Sequence, residues 1–227
     1  MRFHRAITAL LCAALAVCCA CGGGRRGATT GDETRRADGK ITVDGYLFDV
    51  KALHDGHPRS VRLQVFYGDT VALITARGYL GKGVGRGVWR PDSTVFLFPT
   101  EGEYYVGPLD SVTGADCVDG GLLQEALPAL LSGDPARILN VAGLRLVERE
   151  DNRLRAELDL GSCAAPLEIE FDRRGDGQFY YIREFGYTNA DGRRIVDARR
   201  REIRLASDLE LEKLEIAIPT DATPISW

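Results

Sequence analysis

From Ile41 onward the sequence alternates apolar and polar residues in short segments, and turn-forming residues separate one segment from the next. In Leu167 to Phe171, for example, apolar residues alternate with glutamates. An alternation with a period of two is typical of a β-strand that buries one face. The pairs Gly68-Asp69 and Asp191-Gly192 between such segments are typical of turns between strands. The pattern predicts about eleven antiparallel strands in meander order.

Alternation, helical spacing and turn residues give the predicted elements. The predicted strands are Ile41 to Leu53, Val61 to Val65, Val71 to Ala76, Thr94 to Phe98, Tyr104 to Val106, Leu144 to Leu146, Leu154 to Leu160, Leu167 to Phe171, Phe179 to Tyr187, Ile195 to Leu205 and Leu209 to Ile218. In the last strand, Lys213 breaks the alternation as a β-bulge would. Leu122 to Leu131 is predicted to be a helix, because its leucines have helical spacing and Gly133 follows. Pro128 is expected to kink or split that helix, and Pro135 to Leu139 is predicted to be a second short one.

The two faces of the predicted sheet differ, because one is apolar and the other is rich in Glu and Arg. Such a sheet is solvated on one side and covered on the other. Two short helices are too small to cover so many one-sided strands lying flat, so the sheet is expected to curl around its apolar face. The predicted fold class is mainly β (α+β), a curled antiparallel sheet with a helical plug. Its interior is either filled by side chains or left open for an apolar ligand.

The N-terminal residues have the pattern of an export signal. Arg2 and Arg5 precede an apolar run from Ala6 to Val17, which is shorter than the roughly 20 residues that span a bilayer. A charged start, a short apolar run and then small residues are typical of a secretory signal. Several cysteines follow closely, and a bacterial lipoprotein carries a cysteine directly after its cleavage site.

Cys18, Cys19 and Cys21 compete for this lipidated position. Cys21 is predicted, because Ala20 is a suitable small residue before the cleavage site and a glycine-rich segment follows. Acyl chains such as palmitate on Cys21 would anchor the protein to a membrane. Gly22 follows in place of the aspartate that retains lipoproteins at the inner membrane, which favours the outer membrane with the protein facing the periplasm. A plain signal peptide without lipidation is the alternative.

These observations divide the chain into three parts. Residues 1–20 are predicted to be a lipoprotein signal peptide, residues 21–40 a lipidated cysteine with a flexible tether, and residues 41–227 one folded domain. The tether has almost nothing apolar to bury. Cys117 and Cys163 are the cysteines that remain in the folded part, and an oxidising compartment favours a disulfide between them. Two buried free thiols are the alternative.

The sequence contains no residue set typical of an enzyme. His54 and His57 flank the turn residues Asp55-Gly56 and have no distant partner, so no metal site is predicted. No Ser-His-Asp set, Cys-His pair or carboxylate dyad is evident, so we predict neither catalysis nor a cofactor. The net charge of −4 is mild and spread along the chain, and it gives no support to a nucleic-acid partner.

Two further motifs have competing interpretations. The glycines that alternate through Gly81 to Gly87 lack the Lys-Ser/Thr pair of a phosphate-binding loop. They are predicted to form a plain loop whose backbone needs positive φ or close approach, with a flexible rim segment as the alternative. Arg199 to Arg201 is predicted to be a solvated strand face opposite the acidic strand Leu209 to Ile218. A site for an anionic headgroup is the alternative there.

Several short motifs follow one another in a characteristic order. They are Leu80-Gly81, Arg86, Pro91-Asp92-Ser93, Tyr104-Tyr105, Leu123-Gln124, Leu130-Leu131 with Gly133, and the ending Ile216 to Pro219. Over roughly Ile41 to Trp227, their order and spacing resemble a family of uncharacterised bacterial lipoproteins in the superfamily of the lipoprotein-localisation factors LolA and LolB. The resemblance implies an unclosed barrel of eleven antiparallel strands with a helical lid, which holds acyl chains of lipids or lipoproteins in an apolar cavity. Two features of the superfamily are not evident, a helix before the first strand and the exposed apolar loop of LolB.

Apolar residues on the predicted helix and strands are the candidate contacts for a ligand in such a cavity. They are Leu122, Leu123, Leu127, Leu130, Phe96, Phe98, Tyr105, Phe179, Tyr181 and Phe185. The same residues would form an ordinary core if the interior were filled. The sequence therefore leaves two functions open. One is a carrier or acceptor of acyl chains at the outer envelope, and the other is an interaction protein with a filled core that docks an envelope complex through its charged face.

Overall fold

Twelve strands form a single sheet in the computed structural model of the chain. The structure describes residues 39–54, 57–68, 70–108, 120–159, 161, 165–174, 179–189 and 191–225. The strands are β1 (Lys40–His54), β2 (His57–Gly68), β3 (Val71–Arg77), β4 (Gly83–Arg90), β5 (Ser93–Phe98), β6 (Glu103–Gly107), β7 (Leu144–Glu150), β8 (Arg153–Leu158), β9 (Leu167–Arg174), β10 (Phe179–Thr188), β11 (Arg194–Glu210) and β12 (Thr223–Pro224). The helices are α1 (Gly120–Leu131) and α2 (Pro135–Leu139), and Tyr79–Gly81 and Leu211–Leu214 form 3₁₀ turns.

The strand order shows that the barrel is not closed. It runs β12-β6-β5-β4-β3-β2-β1-β11-β10-β9-β8-β7, and every neighbouring pair is antiparallel except β12 with β6. The chain therefore forms two meanders, β1 to β6 and β7 to β11, which join where β1 pairs with β11. Within the described residues, β12 and β7 are the two outer strands and do not pair with each other. The antiparallel meander predicted from the sequence is confirmed, although β4 and the short β12 were not predicted and the last predicted strand does not form.

The sheet is curled, as predicted. The side chains of Phe48, Ile74, Phe171 and Ile182, on strands from both meanders, are completely buried. A flat sheet of these strands would be about 50 Å wide at about 4.8 Å per strand, whereas α1, with 12 residues, is about 18 Å long. The helices alone cannot cover such a width, so the strands must cover one another. The buried residues of both meanders and both helices form one connected cluster on what we call the concave face.

The helices lie on the concave face and connect β6 with β7, the strands on either side of the opening. Ala126 and Leu130 of α1 are buried in the concave cluster. The helix is not split at Pro128, contrary to one expectation, because packing on both sides of the proline holds its last turn in place. Gly133 has the positive φ of +65° expected of a residue that follows a helix, and its carbonyl accepts a 2.8 Å hydrogen bond from the backbone N–H of Tyr180.

The glycine-rich segment is a strand for much of its length, which corrects the prediction of a plain loop. Gly85 and Gly87 lie in β4 on the concave face, and Gly87 is directly opposite Phe96 of β5. A Cβ atom at Gly87 would overlap the Phe96 ring, and one at Gly85 would lie 3.7 Å from the ring of Phe98. Gly87 therefore leaves room for the Phe96 ring to lie across β4, whereas a Cβ at Gly85 would make only an ordinary van der Waals contact. Such aromatic cover of glycines in a neighbouring strand stabilises sheets.

The predicted last strand, Leu209 to Ile218, is wrong, and so is the predicted bulge at Lys213. β11 continues to Glu210 and is followed by the 3₁₀ turn Leu211–Leu214. The alternating leucines instead pack on the outer, convex face, where Leu214 joins a second buried cluster with Leu73 and Val88. We call residues 211–225 the C-terminal strap.

The C-terminal strap crosses the convex face from the centre of the sheet to its edge. Arg86 of β4 donates a 2.7 Å hydrogen bond to the carbonyl of Lys213. At the end of the strap, the N–H groups of Thr223 and Ile225 donate to the carbonyls of Gly102 and Tyr104, each at 2.8 Å. The strap therefore covers an apolar patch and pairs with the edge of β6.

The arginines of β11 do not face the predicted acidic strand, because β11 pairs with β1 and β10. Arg199 forms an ion pair with Glu184 at 3.3 Å, and Arg201 forms one with Asp49 at 3.6 Å. Arg200 differs, since its side chain is only 4% exposed, contacts Asp172 at 2.5 Å and donates to the carbonyl of Ile182. The run is thus held by carboxylates of neighbouring strands.

Candidate functional site

The concave face is the candidate site, and the six strands β1 to β6 build its central part in register. Tyr46 of β1, Phe96 of β5 and Tyr105 of β6 belong to one cross-strand row, and Phe48 and Phe98 belong to the next row. Because alternate residues of a strand share a face, each row adds aromatic or aliphatic side chains to the same surface. The surface is therefore apolar over most of its area.

The structure brings most of the predicted ligand contacts together. Phe96, Phe98, Tyr105, Leu130, Tyr181 and Phe185 are buried members of the concave cluster, and Phe179 is half-buried and packs against it. Leu122 is half-buried in the first turn of α1. The side chains of Leu123 and Leu127 lie outside the described residues, as do Cys21 and the predicted disulfide partners Cys117 and Cys163.

Aromatic rings contact one another across the concave face. The rings of Phe48 in β1 and Phe185 in β10 meet edge to face with centroids 5.6 Å apart. The rings of Phe96 and Phe98 are 6.4 Å apart, and those of Phe179 and Tyr181 are 6.5 Å apart. Edge-to-face and tilted contacts at such distances are favourable. In this conformation the described side chains of the concave face therefore pack largely against each other.

Two clefts elsewhere in the molecule are polar. One of about 220 Å³ is lined by charged residues that include Arg155, Glu168 and Arg194. The other, of about 280 Å³, is lined by Arg145, Glu157 and neighbouring residues. Many of these charges are paired, for example Arg194 with Glu168 at 2.6 Å. Neither cleft has, among its described residues, the apolar lining that an acyl chain requires.

One cross-strand row of the concave face is polar, and the sequence interpretation missed it. The row runs from Asp44 through Tyr67, Ala72, Trp89 and Thr94 to Gly107. Trp89 is 2% exposed and Thr94 is fully buried, and the indole N–H and the hydroxyl have no hydrogen-bond partner among the residues that the structure describes. The sequence did indicate that Trp89 and Thr94 are paired. They are equally distant from the turn Pro91-Asp92 and must therefore oppose each other in a hairpin.

An exposed apolar loop is a second feature that the sequence interpretation missed. Leu80 is 79% exposed in the 3₁₀ turn between β3 and β4, and its φ is +59°. A positive φ is unusual for a residue with a bulky side chain and marks a constrained turn. The loop thus presents a leucine to solvent at one end of the barrel.

Two kinds of feature are absent from the residues that the structure describes. In the part of the chain that the structure describes, no helix is both long and apolar enough to cross a bilayer. Within the same residues, no group of three or more His, Cys, Asp or Glu side chains is arranged to hold a metal ion. His54 and His57 are directly opposed at the ends of β1 and β2, as the predicted hairpin requires.

Comparison with known proteins yields matches of structure only. No protein-family model matches the sequence, and no curated protein matches it. An uncharacterised conserved protein from Thermus thermophilus has a TM-score of 0.46 and 11% identity, with 81% of this chain and 90% of that chain covered. A putative outer membrane lipoprotein-sorting protein domain from Vibrio parahaemolyticus has a TM-score of 0.41 and 8% identity, with 76% and 88% covered. The LolA superfamily protein NE2245 from Nitrosomonas europaea has a TM-score of 0.31 and 12% identity, with 77% and 90% covered. At these scores and identities the matches assign neither a family nor an activity to this chain.

Proposed function

We propose that this protein is an outer-envelope lipoprotein that binds the acyl chains of lipids or lipoproteins at its concave face. The observation that supports this proposal is the open sheet, whose outer strands do not pair within the described residues. The two helices that lie between β6 and β7 in the chain pack on the concave cluster instead. Helix packing can be exchanged for packing against an acyl chain, whereas opening a closed barrel would break backbone hydrogen bonds. A ligand can therefore enter by displacing α1 while the sheet remains intact.

The concave face has the chemistry that an acyl chain needs. Its central rows consist of aromatic and aliphatic side chains such as Phe48, Phe96 and Phe98. Burial of one methylene contributes about 0.8 kcal/mol, so ten methylenes would contribute about 8 kcal/mol before the cost of displacing α1. No covalent chemistry is required for a carrier of this kind.

The position of Leu80 supports contact with a membrane. An apolar side chain held outward at the end of the barrel can enter the boundary between headgroups and acyl chains, where its burial is favourable. With a lipid on Cys21 and a flexible tether, the barrel would remain close to the membrane surface. We infer that the protein exchanges its cargo there.

A filled interior favours a second function, that of a non-enzymatic interaction protein of an envelope complex. The buried concave side chains already pack against each other, and the convex face of β8 to β11 carries many ion pairs, for example Arg155 with Glu148. Such a face can dock a partner protein through charge complementarity. In this case the concave face would be an ordinary core.

Lipid binding distinguishes the two functions. The full-length chain is produced with its own N-terminus in a bacterial host, extracted with a maltoside detergent and analysed by native mass spectrometry. We expect a population with added lipid mass. Retention of added monoacyl glycerols should increase with chain length by up to about fourfold per methylene, the factor that corresponds to about 0.8 kcal/mol. Micelles without protein are the control for partitioning into detergent.

A protein that carries no lipid and shows no dependence on acyl-chain length would contradict the carrier function. Capture of one envelope protein by the same lipid-free sample would then support the interaction protein. One preparation distinguishes the carrier from the interaction protein, because the mass of the complex shows directly whether lipid or another protein is bound.

A further inference from the structure

The polar row of the concave face contains two donors that lack partners among the described residues. Trp89 and Thr94 are directly opposite each other on β4 and β5, which places their Cβ atoms about 5 Å apart. Both residues are almost completely buried, and within the described part of the chain neither the indole N–H nor the hydroxyl has a hydrogen-bond partner. A buried polar group without a partner costs about 1–3 kcal/mol. Two such groups side by side would both gain a partner from one ligand that supplies an acceptor.

The surroundings of this pair limit the ligand to a small acceptor. Trp89 can only donate, and the Thr94 hydroxyl can donate as well. On the other side of Thr94, Gly107 has no side chain, and the hydroxyl of Tyr105 takes up that space and donates a 2.7 Å hydrogen bond to the carbonyl of Pro108. A single acceptor oxygen with two lone pairs can accept from both the indole N–H and the Thr94 hydroxyl.

The charge of the row favours a neutral acceptor. The six residues of the row include no Lys or Arg, and their one carboxyl group is that of Asp44, which accepts a 2.7 Å hydrogen bond from the N–H of Ala206. A buried carboxylate would have no compensating cation in this row. An ester or amide carbonyl carries no net charge and needs only the two donors.

We propose that Trp89 and Thr94 form a binding site for a neutral carbonyl oxygen of an acyl ester or amide, with the acyl chain lying along the phenylalanines of the neighbouring rows. This inference rests on the proposed function and specifies its ligand class. The ester carbonyls of phospholipids and those of lipoprotein diacylglyceryl groups share this chemistry. Free fatty acids, which present a carboxylate, are excluded as preferred ligands.

The test uses the full-length chain in a maltoside detergent, which contains no carbonyl group. Trp227→Phe leaves Trp89 as the remaining tryptophan, since the chain has 2. Brominated acyl chains then report binding by quenching Trp89 fluorescence. The probes are a diacyl phospholipid, a synthetic diacylglyceryl-cysteine peptide, and the free fatty acid of the same chain. We expect both esters to quench at concentrations at least about fivefold lower than the free acid.

Thr94→Val, made in the Trp227→Phe background, removes the hydroxyl and keeps the shape. We expect the affinity for both esters to fall about five- to tenfold, the effect of one neutral hydrogen bond, while the affinity for the free acid changes little. We also expect a small rise in Tm, because the variant loses a buried hydroxyl that lacks a partner among the described residues. Thr75→Val, a half-buried position on the convex face of β3, is the matched control and should change none of the affinities. Trp89→Phe should lower ester retention by a similar factor in native mass spectrometry.

The outcomes separate this inference from the proposed function. If the Trp227→Phe protein is quenched by no probe, the carrier function fails and this inference fails with it. If all probes bind but Thr94→Val and Trp89→Phe bind the esters as tightly as before, the carrier function stands and the carbonyl site is wrong. If the free acid binds as tightly as the esters, the inference that the ligand group is a neutral carbonyl is wrong. A marked fall in the Tm of Thr94→Val would assign the hydroxyl a structural role and overturn the inference.

Discussion

Gly87 shows how a single missing side chain determines the packing of the concave face. The space where its Cβ would lie is occupied by the Phe96 ring, so no Cβ can be accommodated without movement of the backbone or of the phenylalanine. Gly83, in the same strand, has open space where a Cβ would be placed. The two glycines therefore have different roles although they belong to one repeated pattern.

Gly87→Ala is expected to destabilise the protein by about 1–3 kcal/mol, the usual cost of adding atoms to a packed core. Gly83→Ala is the matched control and should change the free energy of unfolding by less than about 0.5 kcal/mol. Denaturant unfolding measures both. Phe96→Ala combined with Gly87→Ala should cost less than the sum of the two single changes, because the ring that causes the overlap is then absent. Additive effects would show that Phe96 does not lie over Gly87.

For individual residues, the sequence allowed burial to be predicted. It did not allow the prediction of contacts with residues that are distant in sequence. The apolar contacts Phe96, Phe98 and Phe185 could be identified, because strand alternation places them on the buried face. A close approach at the glycines could also be predicted, but the ring that makes it at Gly87 could not, since it belongs to a residue on the next strand. The hydrogen-bonding state of Trp89 and Thr94 likewise depends on everything that surrounds them and cannot be deduced from spacing.

Among the elements, the C-terminal strap is the one that alternation misidentified. Leu214, Ile216 and Ile218 repeat every second residue, as in a strand. Yet Leu214 and Ile216 pack on the convex cluster without joining the sheet at that point. Short-range patterns identify which residues are buried, but they do not show on which face of the sheet those residues pack. The long hairpins were predicted correctly, because each strand pairs with its neighbour in sequence and the turn residues are local signals.

Leu214→Ala in the strap is expected to destabilise the protein by about 2–3 kcal/mol. Leu214 is 7% exposed, and its truncation would leave a cavity over the convex cluster. Glu212→Ala, an exposed position in the same 3₁₀ turn, should have an effect of less than about 0.5 kcal/mol. Thermal unfolding followed by circular dichroism compares the two variants. Equal effects would indicate that the strap contributes nothing through its apolar contacts.

For the whole molecule, the proposed anchor determines where the barrel works. Mass spectrometry of the N-terminal peptide from the membrane fraction should find the chain cut before Cys21 and three acyl chains on that residue. Cys21→Ala should abolish acylation and retain an uncut chain, whereas Cys18→Ala and Cys19→Ala should leave acylation intact. An acylated N-terminus at Cys18 or Cys19 would move the predicted lipidation site to that residue. An N-terminus without acyl chains would contradict the proposed lipid anchor.

The pairing of the first strand with the last long strand has a consequence for how the protein reaches its native state. Asp49 lies opposite Arg199, so the seam at the middle of the sheet closes a loop that includes most of the chain. Each meander can form as soon as its own hairpins have formed. The pairing of β1 with β11 at the seam cannot form until β11 has been synthesised and has reached β1. Contacts of such large sequence separation form slowly. If the chain crosses a translocation channel from its N-terminus, the unpaired edge of β1 would therefore stay exposed until the last quarter of the chain, which contains β11, has emerged. A periplasmic chaperone would be needed most during this interval.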